Sequence, residues 1–252
     1  MPTHAESPPP TSYSQRTYRS RVHAQRLTAF QVVCQETDLL IHADIRLDRE
    51  AREKVLACRH HIEAFIHRFP EFATTLSPWR SGAMAPAIVQ RMIVAGQMTG
   101  VGPMAAVAGA IAESVGRELN KYSHQVVVEN GGDIFINTDF PLVAAIFAGR
   151  SPLSMKVGIN VPPARPGLSL CTSSATVGHS LSRGSADAVC VIARSCALAD
   201  AAATAIGNRI RSPRDIQPVI NDSQHIDGVM GIVAILGSEL GAWGQVELVP
   251  LN

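Results

Sequence analysis

The chain reads as an α+β protein, one domain of mixed, mostly antiparallel sheet with a few packed helices. Three observations predict this class. Short apolar runs with strand character recur along the 252 residues, roughly eight to ten of them. Three or four helical stretches interrupt these runs without the regular alternation of a doubly wound sheet. Hydrophobic residues make up 46% against 17% charged, ample for a packed core.

Residues 1–22 are rich in Pro, Ser, Thr and Arg and read as a flexible tail before a domain spanning 23–252. "LTAFQVVCQETDLLIHADIRL" then offers two β-rich runs, with turn chemistry around Glu36, Thr37 and Asp38. "DREAREKVLACRHHIEAFIHRF" is an amphipathic helix with Val55, Ile62, Phe65, Ile66 and Phe69 on one side, and Pro70 ends it. His60, His61 and His67 lie on or near that helix, with no second cluster at ligand spacing, so a metal role is not expected of them. "IVQRMIVAGQMTGVG" leads into "PMAAVAGAIAESVGREL", where Pro103 suits a first helical turn and the many alanines suit close packing. "HQVVVENGGDIFINT" is strand, Gly-Gly turn, strand. Apolar segments follow at "LVAAIFAG", "MKVGINV", "SLCTSSATVG" and "ADAVCVIAR". The alanine-rich helix "ALADAAATAIGN" comes next, with Ser195 as its expected N-cap and Gly207-Asn208 as its stop. "GVMGIVAILG" and "GQVELVPL" complete the chain.

The bulk numbers exclude several classes. A net charge of +1 argues against a nucleic-acid or acidic-membrane partner held by bulk electrostatics. Only Lys54, Lys121 and Lys156 could serve a lysine-dependent mechanism. Five cysteines without a C-x-x-C pair fit neither a disulfide framework nor a zinc knuckle, and read as reduced buried thiols. The start has no apolar signal, and no run reaches the ~18 apolar residues of a membrane span, so the expected location is the cytoplasm.

Four places combine special backbone residues with polar groups. Gly102 and Pro103 stand at a helix start, where free N–H groups and the positive end of the dipole favour an anion. "ENGGDI" places Asn130, Gly131, Gly132 and Asp133 together, either as ordinary hairpin chemistry or as a flat backbone surface for a planar ligand. "CTSSATVGHSLSRGSADA" is dense in hydroxyls and carries Thr172, His179 and Arg183, as a loop around a polar ligand would; a solvated loop looks the same. Asp200 and Thr204 share a helix face one turn apart, an all-oxygen edge that could be half of a Mg²⁺ site or a plain surface pair.

Taken in order, these pieces resemble the ApbE-like superfamily, which includes the FAD:protein FMN transferases. "ADAVCVIARSCALADAAATAIGN" is similar to that family's strand and A-L-A-D-A-x-A-T-A helix, whose Asp and Thr bind Mg²⁺. The resemblance puts Asp200 and Thr204 in that role. "NGGDI" is similar to the stretch beside the family's flavin, and "GPMAAVAGAIAE" falls at D-L-G-G-I-A-K-G-Y-A-V-D, matching Gly109 to the glycine and Glu113 to the final aspartate. His179 falls at the family's H-x-x-D-P-x-T-G, but Ser182, Arg183, Gly184 and Ser185 replace the D-P-x-T-G, and Ala108 stands where the transferases carry lysine. A closer likeness, through "ETDLLI", "VGPMAAVAG" and "ENGGDIF", is to a cytosolic branch to which no activity is attached.

The resemblance implies a small-molecule, nucleotide-like ligand, FAD or FMN, held with Mg²⁺ and acted on at its pyrophosphate. The site residues would be Gly102, Asn130, Gly131, Gly132, Asp133, Thr172, His179 and Arg183 for the ligand, and Asp200 and Thr204 for the metal. The expected partners are that ligand and a second copy of the chain, with neither nucleic acid nor membrane. A non-catalytic binding or regulatory module on the same scaffold is the alternative, favoured by the absent lysine. An enzyme acting on an unrelated small molecule in the same cleft is the third reading, since fold does not fix function.

Overall fold

A two-residue turn at Gln35 and Glu36 joins the first two strands, β1 (Thr28–Cys34) and β2 (Thr37–Ala43), in unbroken antiparallel register. The turn therefore lies one to two residues before the expected position, and Thr37 and Asp38 already belong to β2. The computed structural model describes residues 27–80, 82–175 and 184–251. The expected tail at 1–22, together with His179 and Arg183, lies outside the described residues.

Helix α1 (Asp48–Arg68) buries Val55, Ile62 and Phe65 as its periodicity predicts, and the chain leaves it at Pro70. Helix α2 (Ala87–Thr99) stops at Gly100, whose φ of 77° is the left-handed cap conformation that glycine adopts without cost. A 3-10 turn from Pro103 then feeds α3 (Val107–Leu119). Strands β3 (Val126–Asn130) and β4 (Asp133–Thr138) form the Gly-Gly hairpin, followed by β5 (Leu142–Ala145), β6 (Val157–Val161), β7 (Ala164–Ser173) and β8 (Ala188–Ala193). Helix α4 (Cys196–Gly207) has Ser195 as its N-cap, accepting from the Leu198 N–H at 3.4 Å. Helix α5 (Ile216–Ser223), β9 (Val229–Leu236), β10 (Glu239–Gly244) and β11 (Glu247–Pro250) finish the chain.

Eight strands make one antiparallel sheet in the order β1-β2-β3-β4-β7-β8-β9-β10, and β11-β6-β5 make a small second sheet. The helices cover one face of the large sheet and the small sheet covers part of the other, giving three layers. This explains why β8 is apolar throughout. Val189, Val191 and Ala193 face the helical layer, while Ala188, Cys190 and Ile192 face the small sheet. It also explains the alanines of α4: Ala197, Ala199, Ala201, Ala202 and Ala203 are fully buried, with α2, α3, β7 and β8 packed around them. Larger side chains would not fit there.

The α+β class and the antiparallel sheets expected from sequence are present. No helix among the described residues is long and apolar enough to cross a membrane.

Candidate functional site

Helices α3 and α4 cross so closely that a Cβ on Gly109 would lie 2.4 Å from the Cys196 carbonyl oxygen and 2.9 Å from Cβ of Asp200. At this crossing each helix supplies the other with a carboxylate. Asp200 of α4 accepts the N–H of Gly109 at 2.9 Å and also that of Ala108, in the first turn of α3. Glu113 of α3 accepts the N–H of Cys196 at 2.9 Å, the first residue of α4. Both acceptors answer N–H groups that a helix leaves unbonded at its start.

Gly102, the expected anion position, stands before the 3-10 turn that begins at Pro103, ahead of α3. The first-turn N–H groups of α3 are held by the protein's own Asp200. Gly102 itself has no room for a side chain: a Cβ there would meet the Thr75 carbonyl oxygen at 1.9 Å.

The hairpin sets the third wall. Gly131 and Gly132 have φ of 67° and 112°, conformations that glycine permits, and they leave Asn130 and Asp133 as the closing pair. Asn130 donates from Nδ2 to the Ala108 carbonyl at 3.0 Å, tying the hairpin to the start of α3. Asp133, 6% exposed, receives the Cys171 thiol and the Thr172 N–H, and its Oδ1 has no hydrogen-bond partner. Burial pushes the Asp133 carboxyl up to about 7; those two donors pull it down and the Glu129 charge adds to the rise. Burial likewise drives Asp200 well above the usual carboxylate range, with the Asp133 charge as second cause, against the pull of the Gly109 and Ala108 N–H groups. Two carboxyls within electrostatic reach, one with an orphaned oxygen, form a place where positive charge is wanted.

Thr172 joins the site through its main chain only. Its hydroxyl bonds Cys190 Sγ at 3.2 Å on the opposite face of the sheet, because alternate residues of β7 point to opposite sides. Thr204 follows Asp200 by one turn and is half-buried. Cys171 and Cys196 lie beneath the acidic pair with their sulfurs 3.4 Å apart, both thiols pushed up first by burial. Among the described residues no three His, Cys, Asp or Glu side chains could hold a metal together.

On the other side of Asn130 and Ala108 lies a cavity of about 320 Å³ between α1 and α3. Ile62, Ile66, Met104, Val107 and Ile111 line it, and Thr37, Arg59, Glu36 and Glu63 rim it. Arg59 holds the β1–β2 turn over this rim, bonding Thr37 Oγ1 at 3.1 Å, Glu36 at 2.7 Å, Glu63 at 2.8 Å and the Gln35 side chain. Gln35 itself has φ of 53°, a conformation usually left to glycine. Sequence reasoning missed the cavity and its arginine, because the lining residues come from segments far apart in the chain. In the sequence Glu113 stands out only as a family counterpart. A lone acid inside "AVAGAIAES" was the available signal.

The comparisons with known proteins agree with this architecture. The family model described as AbpE bacteria matches residues 19–231. A UPF0280 protein of Methanocella arvoryzae is 39% identical over 229 residues, covering 89% of this chain and 91% of its own. The UPF0280 protein of Methanosphaerula palustris is 46% identical over 200 residues, covering 78% and 81%. Among solved structures, the apo flavinyl transferase ApbE of Pseudomonas stutzeri has a TM-score of 0.58 at 13% identity, covering 86% of this chain and 94% of its own. The flavin transferase ApbE of Vibrio cholerae has a TM-score of 0.56 at 12% identity, covering 86% and 96%; at such identities the likeness is one of fold. The chain therefore belongs to the AbpE bacteria family, a member of the ApbE-like superfamily with UPF0280 proteins among its relatives.

Proposed function

We propose that this chain is a cytoplasmic protein that binds a flavin nucleotide, FAD or FMN, together with Mg²⁺. The observation that carries the reading is the buried, unpartnered Oδ1 of Asp133 beside Asp200. Two carboxyls without a third charged ligand suit Mg²⁺, which takes one or two carboxylates and completes its shell with water and phosphate oxygens. Asp200, Asp133 and the Thr204 hydroxyl would hold it. When bound, the ion would neutralise phosphate charge and polarise the pyrophosphate. The apolar cavity beside Asn130 has the size and lining for a flat ring system.

The chain's own residues do the rest. Asn130 fixes the hairpin on α3, Gly131 and Gly132 keep that backbone free of side chains, and Asp133 holds or releases a proton near neutral pH. His179 and Arg183, which fall between β7 and β8 in the sequence, would meet phosphate oxygens, a task guanidinium geometry suits. A second reading, binding without turnover, is favoured by Ala108 at the position of the transferases' lysine. Lys54 and Lys121 are both engaged by Glu118 on the outer side of α3.

Calorimetry with FAD, with and without Mg²⁺, followed by chromatography for FMN and AMP, tests both readings. Mg²⁺-dependent binding with AMP release, lost in Asp200→Asn, is expected of a working enzyme, and binding without products of the binding module. No binding under either condition would overturn the flavin reading.

A further inference from the structure

A surface independent of the ligand reading carries a second conclusion. Among the described residues four strands end a sheet: β1 and β10 in the large sheet, β5 and β11 in the small one. Exposed edges invite pairing with another chain, and proteins guard them with charge, proline, glycine or short length. β11 carries Glu247 and Pro250, β10 carries Glu239, Gly241 and Gly244, and β5 is only four residues long. β1 has none of these guards. Its seven residues, TAFQVVC, are uncharged, free of proline and glycine, and in unbroken register with β2.

The direction of its free groups follows from the turn. A two-residue hairpin loop makes the closing pair, Cys34 and Thr37, a hydrogen-bonded one, and such pairs alternate along the ladder. Val32–Leu39, Phe30–Ile41 and Thr28–Ala43 therefore bond inward, which leaves the N–H and C=O of Ala29, Gln31 and Val33 pointing off the sheet. We propose that this edge pairs with the β1 edge of a second copy, antiparallel about a two-fold axis at Gln31. In that register Gln31 meets Gln31 of the second copy and Ala29 meets Val33, each pair exchanging both of its bonds. Phe30, Val32 and Cys34 keep their places under the helical layer in both copies, because residues meeting across the axis lie on the same face. Val33, 47% exposed in the single chain, is then covered beside Ala29 of the other copy. A two-fold interface needs one self-complementary patch, and an uncharged strand read in both directions supplies it.

Light scattering on the eluting full-length protein, loaded from micromolar to millimolar, should give about twice the 26.9 kDa chain mass. Val33→Lys puts a charge on the edge, and Gln31→Pro removes an outward N–H that an edge strand can lose without breaking its inner ladder. Both variants should elute as monomers with the far-ultraviolet circular dichroism of the folded wild type. Gln31→Cys places two thiols across the axis at a Cα separation of about 5.5 Å, within disulfide range, so mild oxidation should cross-link the pair on a non-reducing gel. A monomeric wild type at every loading, a dimer that survives both variants, or a dimer in which Gln31→Cys does not cross-link would each overturn the proposal.

Discussion

The orphaned carboxyl of Asp133 leads to a quantitative expectation about stability and pH. Its group titrates near 7 in the folded chain against 3.8 for an ordinary aspartate. The folded state thus keeps a proton that the unfolded state has already released. The contribution of this group is therefore fully present below pH 4, is lost as pH rises towards 7, and levels off above that. At 1.4 kcal/mol per pH unit, tapering as the folded value is passed, the stretch from pH 5 to pH 8 amounts to about 3 kcal/mol. Asp133→Asn carries no proton to lose, so its stability relative to the wild type should grow by about 3 kcal/mol between pH 5 and pH 8. Urea denaturation of both proteins in chelator at the two pH values measures this growth, and the difference cancels titrations common to both, such as that of His42. Asp200 is raised in the same sense, so relieving it adds to the effect rather than opposing it. A gap between the two proteins that stays constant or shrinks with pH would refute the reasoning.

Other residues give further expectations. Gly109→Ala forces a Cβ to 2.4 Å from the Cys196 carbonyl and should cost about 3 kcal/mol in urea denaturation. Glu113→Ala leaves the buried Cys196 N–H without its acceptor and should cost about 2 kcal/mol, while Glu113→Gln, which keeps an acceptor oxygen, should cost less than half of that in the same assay. Gln35→Gly relieves the left-handed backbone of the β1–β2 turn and should raise stability by about 0.5–1 kcal/mol, read as a higher melting temperature. Val107→Trp fills the cavity between α1 and α3 and should abolish flavin binding while leaving the far-ultraviolet circular dichroism unchanged.

Elements whose residues follow one clear period were legible. The α1 positions Val55, Ile62 and Phe65 and the Asn130–Asp133 hairpin turn stand in the structure as the sequence implied. Elements whose local signals conflict were not. Pro218 lies inside α5 and two glycines lie in β10, so neither read as regular structure. The pairing of β4 with β7 skips two intervening strands, and such long-range partners are chosen by layer packing rather than by any local pattern. The same limit applies to the site. Asp133 and Asp200 stood out as polar groups in bare surroundings, yet the use of Asp200 at the start of α3 depends on a helix crossing invisible in the chain. The outward turn of the Thr172 hydroxyl depends on strand parity, which an error of one residue in register inverts.

The exchange of carboxylates between α3 and α4 bears on how the chain comes together. Gly109 is 91 residues from Asp200, and Cys196 is 83 from Glu113. During synthesis α3 is complete long before its acceptor exists, while the Glu113 carboxyl waits for a helix still unmade. The first half of the chain therefore lacks what it needs to close its own core, and α4 must arrive before either helix start is satisfied. Such mutual dependence makes the two halves a single cooperative unit: amides at the starts of α3 and α4 should share one protection against hydrogen exchange, and a chain cut between β6 and β7 should yield fragments that acquire order only when mixed.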